Sequence, residues 1–443
     1  MNGIRLLRWP RPVLCLFSVL FISVVSAQPK PDTIQSVFIK AGRLIDVRAG
    51  KVLEAQGILI EGERIKEVGP LASISARVPR GATIIDLSNS TILPGLIDCH
   101  THVTSDPGNY YEAIFRKSAI NYAVEAHIYA RRTLEAGFTT IRDLGASEFI
   151  DVALRDAISS GKVSGPRMQV STLDVGATGG HNDLEGFSPY VKIGGFSGVA
   201  DGVDEIRKLV RFEVKNGADI IKLIATGGVL SEEESAMGVQ YSQEEMNAVV
   251  QEAAMWGRKV AAHAHGTEGI KRAIRAGVIS IEHGSMLDDE AIAMMKAKGT
   301  FLVCNPYTNA YIEQEGRRLG LPQKSIDKSR LVREIKRESL KRAIQAGVRI
   351  AYGTDAGTYP HGQNAKQFSL YVQAGLTPMQ AIQSATVSAA ELLGWQDRVG
   401  SISVGAFADI IAVKSDPLKD ITVLETVDFV MKGGAVVKNR ISK

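Results

Sequence analysis

Cysteine is scarce in this 443-residue chain: Cys15, Cys99 and Cys304 are the only three. Cys99 and Cys304 lie in short apolar runs that read as buried strands, and two thiols make no disulfide framework. Aromatic residues are few, at 6%. Charge of one sign is lacking too: 52 Lys and Arg nearly cancel 48 Asp and Glu, leaving +4. Setting aside Arg5, Arg8 and Arg11 in the N-terminal leader takes this to +1. A near-neutral chain without basic clusters argues against a nucleic-acid partner.

Long hydrophobic runs are also missing, apart from residues 13–25, and that run is too short to span a bilayer comfortably. It follows the three arginines and ends at Val25-Ser26-Ala27. Residues 1–27 therefore read as a secretory signal peptide cleaved before Gln28, the alternative being an uncleaved anchor. Cys15 sits inside the run rather than at its end, which disfavours a lipoprotein. The expected product is secreted or periplasmic, without stable membrane association. A Gly-X-Ser-X-Gly nucleophile elbow is absent; Gly165-Pro166 and Gly284-Ser285 do not form one.

What is present is a regular alternation. Residues 37–42, 57–62, 64–69 and 82–87 alternate apolar and polar, with glycine at the turns, which predicts antiparallel sheet. The same texture returns in 408–413 and 427–437. Residues 28–92 and 401–443 are thus expected to pair into a small β-sandwich domain. Between them, strand candidates end near His102, Asp143, Thr172, Ile224, His263, His283, Cys304 and Thr354. Helical patterns separate them over 122–136, 203–216, 242–256, 266–276, 288–298 and 328–346. Glu135-Ala-Gly137, Arg275-Ala-Gly277 and Gln345-Ala-Gly347 read as helix ends that lead into strands. An α/β fold is expected, with residues 93–400 forming a (β/α)8 TIM barrel and a doubly wound open sheet as the alternative.

In such a barrel the active site lies at the C-terminal ends of the strands. Of the eight histidines, several fall there. His100 and His102 leave one face of Gly95-Leu-Ile-Asp-Cys-His-Thr-His102; His263 and His265 end Lys259-Val-Ala-Ala-His-Ala-His265; His283 ends Val278-Ile-Ser-Ile-Glu-His283. Neutral imidazole is the commonest metal ligand, so three such strand ends predict a metal site. Lys222, in Asp219-Ile-Ile-Lys-Leu-Ile, is either a salt-bridged lysine or an amine that captures carbon dioxide as a metal-bridging carbamate. Asp355, in Tyr352-Gly-Thr-Asp-Ala-Gly, is either a helix N-cap or a metal-binding proton acceptor.

Pro94-Gly-Leu-Ile-Asp-Cys-His-Thr-His102, Lys222, His263, His283, Gly353-Thr-Asp355 and Val404-Gly-Ala-Phe-Ala-Asp-Ile-Ile-Ala-Val413 together resemble the metal-dependent amidohydrolase superfamily, in order and spacing, over the whole chain after the leader. Ile221-Lys-Leu-Ile-Ala-Thr-Gly-Gly-Val229, Ala261-Ala-His-Ala-His-Gly-Thr-Glu-Gly-Ile270 and Ser280-Ile-Glu-His-Gly284 are similar to its branch of Xaa-Pro and Xaa-Arg/Lys dipeptidases and ochratoxin-hydrolysing amidases. The resemblance implies two divalent metals, usually zinc. His100, His102 and Asp355 would hold one, and His263 and His283 the other, with carboxylated Lys222 and a hydroxide between them. It implies hydrolysis of the amide bond of dipeptides or N-acyl amino acids, with Asp355 as general base.

Substrate contacts are expected from loops. His181, in Ala177-Thr-Gly-Gly-His-Asn-Asp183, is a candidate donor to the carbonyl oxygen, or else a solvated loop residue. Tyr241, after the loop 229–240, is a candidate for a substrate carboxylate, and His361 a weaker one of the same kind. His265 orients substrate or braces a ligand. His127 falls within a helix and is expected to be structural. The alternative function is imidazolonepropionase-like hydrolysis or deamination of a small cyclic compound, whose mononuclear enzymes need no carboxylated lysine. A non-catalytic metal-binding module would leave the complete ligand set and base unexplained. Relatives often form larger rings, so a homo-oligomer is expected.

Overall fold

The structure is a computed structural model that describes residues 36–188, 190–191, 198–232 and 235–441. The expected signal peptide lies outside the described residues. Among those residues no helix is long and apolar enough to cross a membrane.

The described residues begin with β1 (Ser36–Asp46), β2 (Lys51–Glu61), β3 (Arg64–Pro70) and β4 (Thr83–Pro94). There follow β5 (Leu96–Thr101), β6 (Phe138–Asp143), β7 (Arg167–Val170), β8 (Asp174–Gly176) and β9 (Gly198–Val199). Next come β10 (Ile220–Ile224), β11 (Lys259–Ala264), β12 (Ser280–His283) and β13 (Phe301–Val303). The last strands are β14 (Ile410–Val413), β15 (Phe429–Lys432) and β16 (Ala435–Asn439).

Both ends of the chain share one seven-stranded sheet of order β16-β15-β14-β4-β1-β2-β3. Ile39, Ile58, Leu87, Ile410 and Phe429 pack into its own apolar cluster. One pair departs from the antiparallel expectation: β1 and β4 run parallel. The hairpin of β2 and β3 and the helix Leu71–Ser75 supply the crossover that a parallel pair requires.

The middle of the chain forms an α/β fold with two parallel sheets, β13-β12-β11-β10-β8-β9 and β5-β6-β7. β5, β6, β10 and β12 are buried along their whole length, the pattern of parallel strands covered on both faces. The helices Ala119–Glu135, Gly202–Lys215, Gln243–Met255, Thr267–Ala276, Asp289–Lys298 and Gln323–Ala346 alternate with them, close to the expected spans. Gly277 (φ 104°) and Gly347 (φ 77°) end their helices in the left-handed conformation that glycine adopts without steric cost. Cys99 and Cys304 are free and buried, as expected.

The strand expected to end near Thr354 is a correction. Isolated parallel bridges join Ile350 to Leu302 and Ala356 to Thr101, but no strand forms. The Asp98 carboxylate accepts the Thr354 amide at 3.0 Å and its hydroxyl as well, so this backbone turns away from a ladder. Gly353 permits that turn: a side chain there would meet Val303 at 2.2 Å and His100 at 3.0 Å.

Candidate active site

The C-terminal ends of the parallel strands deliver most of the expected residues to one cavity of about 310 Å³. His100 comes from β5 and His102 from just beyond it, Lys222 from β10, His263 from β11 and His283 from β12. His265 follows β11, and Asp355 lies on the turn after Gly353. All seven line the cavity, together with His181. The ring centres of His100 and His283 are 5.2 Å apart and those of His263 and His283 4.5 Å apart.

Among the described residues, two groups bring one donor atom per residue within 4.8 Å of one another: His263, His265 and His283, and His100, His283 and Asp355. His102 reaches the second group through Asp355, its Nε2 lying 3.3 Å from Oδ1. The geometry therefore brings His265 into the cluster beside His263, closer than the expected role of orienting substrate or bracing a ligand requires. Lys222 is buried, and its Nζ donates to the Leu144 carbonyl at 3.4 Å.

The chemistry of this set suits a divalent metal. Burial holds the His263, His265 and His283 rings well below their usual pKa, and neighbouring histidines or cations add to this. Burial and then Lys222 bring His100 down to about 4. Burial alone would raise the Asp355 carboxyl, but His100, His102 and Lys222 outweigh it and hold the group near 2. The same carboxylate overcomes burial at His102 and keeps that ring above its ordinary value. The neutral rings of His100, His263, His265 and His283 beside an ionised carboxylate form the N and O donor set that zinc-like cations take. His100 Nε2 is buried without a hydrogen-bond partner, although its other nitrogen is satisfied.

Hydrogen bonds at the far ring nitrogens set the direction of these side chains. His100 Nδ1 donates to Glu282 Oε2 at 2.9 Å, His102 Nδ1 to the Gly145 carbonyl at 3.3 Å, and His283 Nδ1 to Asn305 Oδ1 at 3.0 Å. Each bond leaves Nε2 for the cavity, as outer partners of metal-binding histidines do. Glu282 is held in turn by Arg142, whose Nη2 donates to Oε1 at 2.8 Å; Arg142 Nε donates to the Cys99 carbonyl at 2.6 Å. Asn305 is a junction. Its Nδ2 donates to Asp355 Oδ2 at 2.9 Å, and its Oδ1 also accepts from Lys336 Nζ at 3.0 Å. Burial draws the Lys336 ammonium below its usual pKa.

Asp98 braces both halves of the cluster. Its carboxylate accepts the His100 amide at 3.2 Å, the Thr354 amide, and Asn364 Nδ2 at 2.7 Å. His283 (φ 69°) and Asp355 (φ 64°) both adopt left-handed backbone, which costs about 1–3 kcal/mol at a non-glycine residue. The Asp355 amide donates to the His100 carbonyl at 2.7 Å, and that bond secures the conformation.

Two expected substrate contacts are corrected. Tyr241 packs in the main core and donates to the Ala200 carbonyl at 2.6 Å, so it does not line the cavity. His361 also lies away from the cavity lining; its Nε2 is 3.2 Å from both the His102 and Ser105 carbonyls, and it fastens the segment after β5. His127 is exposed on its helix. His181 does line the cavity, stacked on His263 at 4.4 Å, with Nδ1 2.7 Å from Ser231 Oγ. Val229, Leu230, Ile312, Leu319 and Leu321 also line the cavity and make part of its wall apolar.

Residues 91–437 match the model of the amidohydrolase family. An ochratoxinase of Aspergillus niger is 34% identical over 430 residues, covering 92% of this chain and 88% of its own. A crystal structure of a Xaa-Pro dipeptidase with methionine bound in its active site is 38% identical, with a TM-score of 0.84 over 91% of this chain and 99% of the other. A prolidase complexed with N-methylphosphonate-L-proline is 33% identical, with a TM-score of 0.85 over 91% and 100% of the two chains.

Proposed function

The chain belongs to the amidohydrolase family, and from that premise we propose that it is a binuclear metal-dependent hydrolase that cleaves the amide bond of dipeptides or N-acyl amino acids. The observation that carries this reading is the meeting of His100, His102, His263, His283, Lys222 and Asp355 in one cavity. Two divalent metals, zinc foremost, would be held by His100, His102 and Asp355 and by His263 and His283, with Lys222 as a carbamate between them. The orphaned His100 Nε2 supports that ligand set. Bound metal would supply acidification of a water and polarisation of the scissile carbonyl.

The chain's own residues account for the rest. Asp355 accepts a proton from the attacking water and returns it to the leaving amine. Its backbone is fixed by the His100 carbonyl and its Oδ2 by Asn305, so the carboxylate is aimed before substrate arrives. His181 offers a donor to the carbonyl oxygen as charge develops there. The apolar wall excludes water and receives an apolar side chain or acyl group.

Closure of the parallel strands into an eight-unit barrel is part of the proposal. It is supported by the bridges from the 350–356 segment to β13 and β5, and by the Asp219 amide bond to the Val170 carbonyl at 2.8 Å. Export follows from the leader alone. Purified protein supplied with zinc should release amine from at least one member of a panel of dipeptides and N-acyl amino acids; hydrolysis of none would overturn the reading.

A further inference from the structure

Lys336 lies in the middle of the helix Gln323–Ala346, and only 2% of it is exposed. With Lys328, Val332 and Leu340 it recurs every fourth residue on the buried face of that helix. It reaches the cavity lining, and among the described residues no carboxylate lies within ion-pair distance of it. An ammonium has three donors, and here one goes to Asn305 Oδ1. A buried cation without a counter-charge is costly, and an anion seated in the cavity beside it would relieve that cost.

The other cations of the cavity are committed elsewhere. Lys117 is paired with Glu125 at 2.6 Å, and Lys222 is the carbamate candidate. Lys328, two turns before Lys336 and outside the cavity lining, donates to the Gly228 and Ser231 carbonyls, each at 2.8 Å, and so pins a loop. Tyr241, expected at a substrate carboxylate, is held in the core.

We propose that Lys336 binds the α-carboxylate of the amino acid that leaves, and so makes a free carboxylate a requirement of the substrate. This rests on the amide-hydrolysis reading above. The placement follows from Asn305, whose single side-chain amide touches Asp355 at one end and Lys336 at the other. The leaving nitrogen takes its proton from Asp355 and therefore lies beside it. In an α-amino acid the carboxylate carbon is two bonds from that nitrogen, a span comparable to the amide that separates Asp355 from Lys336. Lys336 is thus a specificity-determining cation, and Asn305 positions it.

The test compares the best substrate of the panel, as the free acid and as its C-terminal carboxamide, in wild type, Lys336→Met and Lys336→Arg. Loss of one charge-assisted hydrogen bond should raise KM for the acid roughly 10- to 150-fold in Lys336→Met, with a much smaller change in kcat. The preference for acid over carboxamide should shrink by the same factor, and Lys336→Arg should keep most of it. Calorimetry with L-phenylalanine and L-phenylalaninamide, on zinc-loaded and zinc-free protein, reads the same loss without turnover. Methionine in place of a buried ammonium should fold at least as well. An unchanged preference in Lys336→Met, an equal loss for both substrates, or unchanged L-phenylalanine affinity would overturn the assignment. If wild type cleaves no amide, the functional reading fails, and the calorimetry decides on Lys336 alone.

Discussion

Glu282→Gln removes the anion from the buried triad Arg142–Glu282–His100 while keeping its shape. Both Arg142 and Glu282 are fully buried. Burial by itself would raise the Glu282 carboxyl, yet Arg142 and the His100 hydrogen bond outweigh it and hold the group near 2, against an ordinary value of 4.5. That difference corresponds to about 3 kcal/mol of stability at neutral pH. Because the folded-state value is depressed, this contribution is complete above pH 4.5 and is lost as pH falls through 2. Removing one partner of a buried pair costs about 3–5 kcal/mol, so the two routes agree. Glu282→Gln should therefore cost about 3 kcal/mol in urea denaturation of the metal-free protein at pH 7, a large share of the 5–15 kcal/mol typical of a domain. Adding Arg142→Met should recover part of the loss, because no orphaned cation remains. His100 also loses its ionic anchor, so metal affinity measured against a competing chelator should fall roughly tenfold or more. A cost below about 1 kcal/mol with unchanged metal affinity would refute the reasoning.

Three further outcomes are expected. Asp355→Asn should lower kcat by at least about 100-fold while the circular dichroism spectrum stays that of wild type; retained activity would remove Asp355 as the base. Lys222→Ala should be inactive and regain part of its activity when short-chain carboxylic acids are added, since they replace the carbamate oxygens; near-wild-type activity without them would exclude the carbamate. Tyr241→Phe should cost about 1 kcal/mol of stability through loss of the Ala200 bond and leave kcat/KM within about twofold, whereas a KM rise would return Tyr241 to the substrate.

The α/β alternation and the strand-end histidines were legible because burial on both faces of a parallel strand leaves a continuous apolar run, and any polar residue that ends it stands out. His100, His263 and His283 stand out this way, and Lys222 stands out as a charge within Ile220–Ile224. The residues that aim them were harder to see. Arg142 and Glu282 are charges on the fully buried strands Phe138–Asp143 and Ser280–His283, and their opposite signs on core strands were the available signal. Asn305 carries no chemistry that marks it, since its role depends on three partners from distant segments. Lys336 is hidden in a helix rich in Lys and Arg, and only its place on the stripe with Val332 and Leu340 distinguishes it. Tyr241 followed a loop that suggested the cavity, but an aromatic ring that can satisfy its hydroxyl on a backbone carbonyl favours the core. The missing strand near Thr354 was set by the side chain of Asp98, which local periodicity does not reveal.

The central claim is that the imidazoles, Lys222 and Asp355 form a two-metal centre. The direct measurement is the metal content of the purified protein by plasma mass spectrometry, alongside the His263→Ala and His100→Ala variants. About two equivalents of divalent metal per chain are predicted, with about one lost in each variant. Less than one equivalent in the wild type after incubation with zinc, or unchanged content in both variants, would contradict the account.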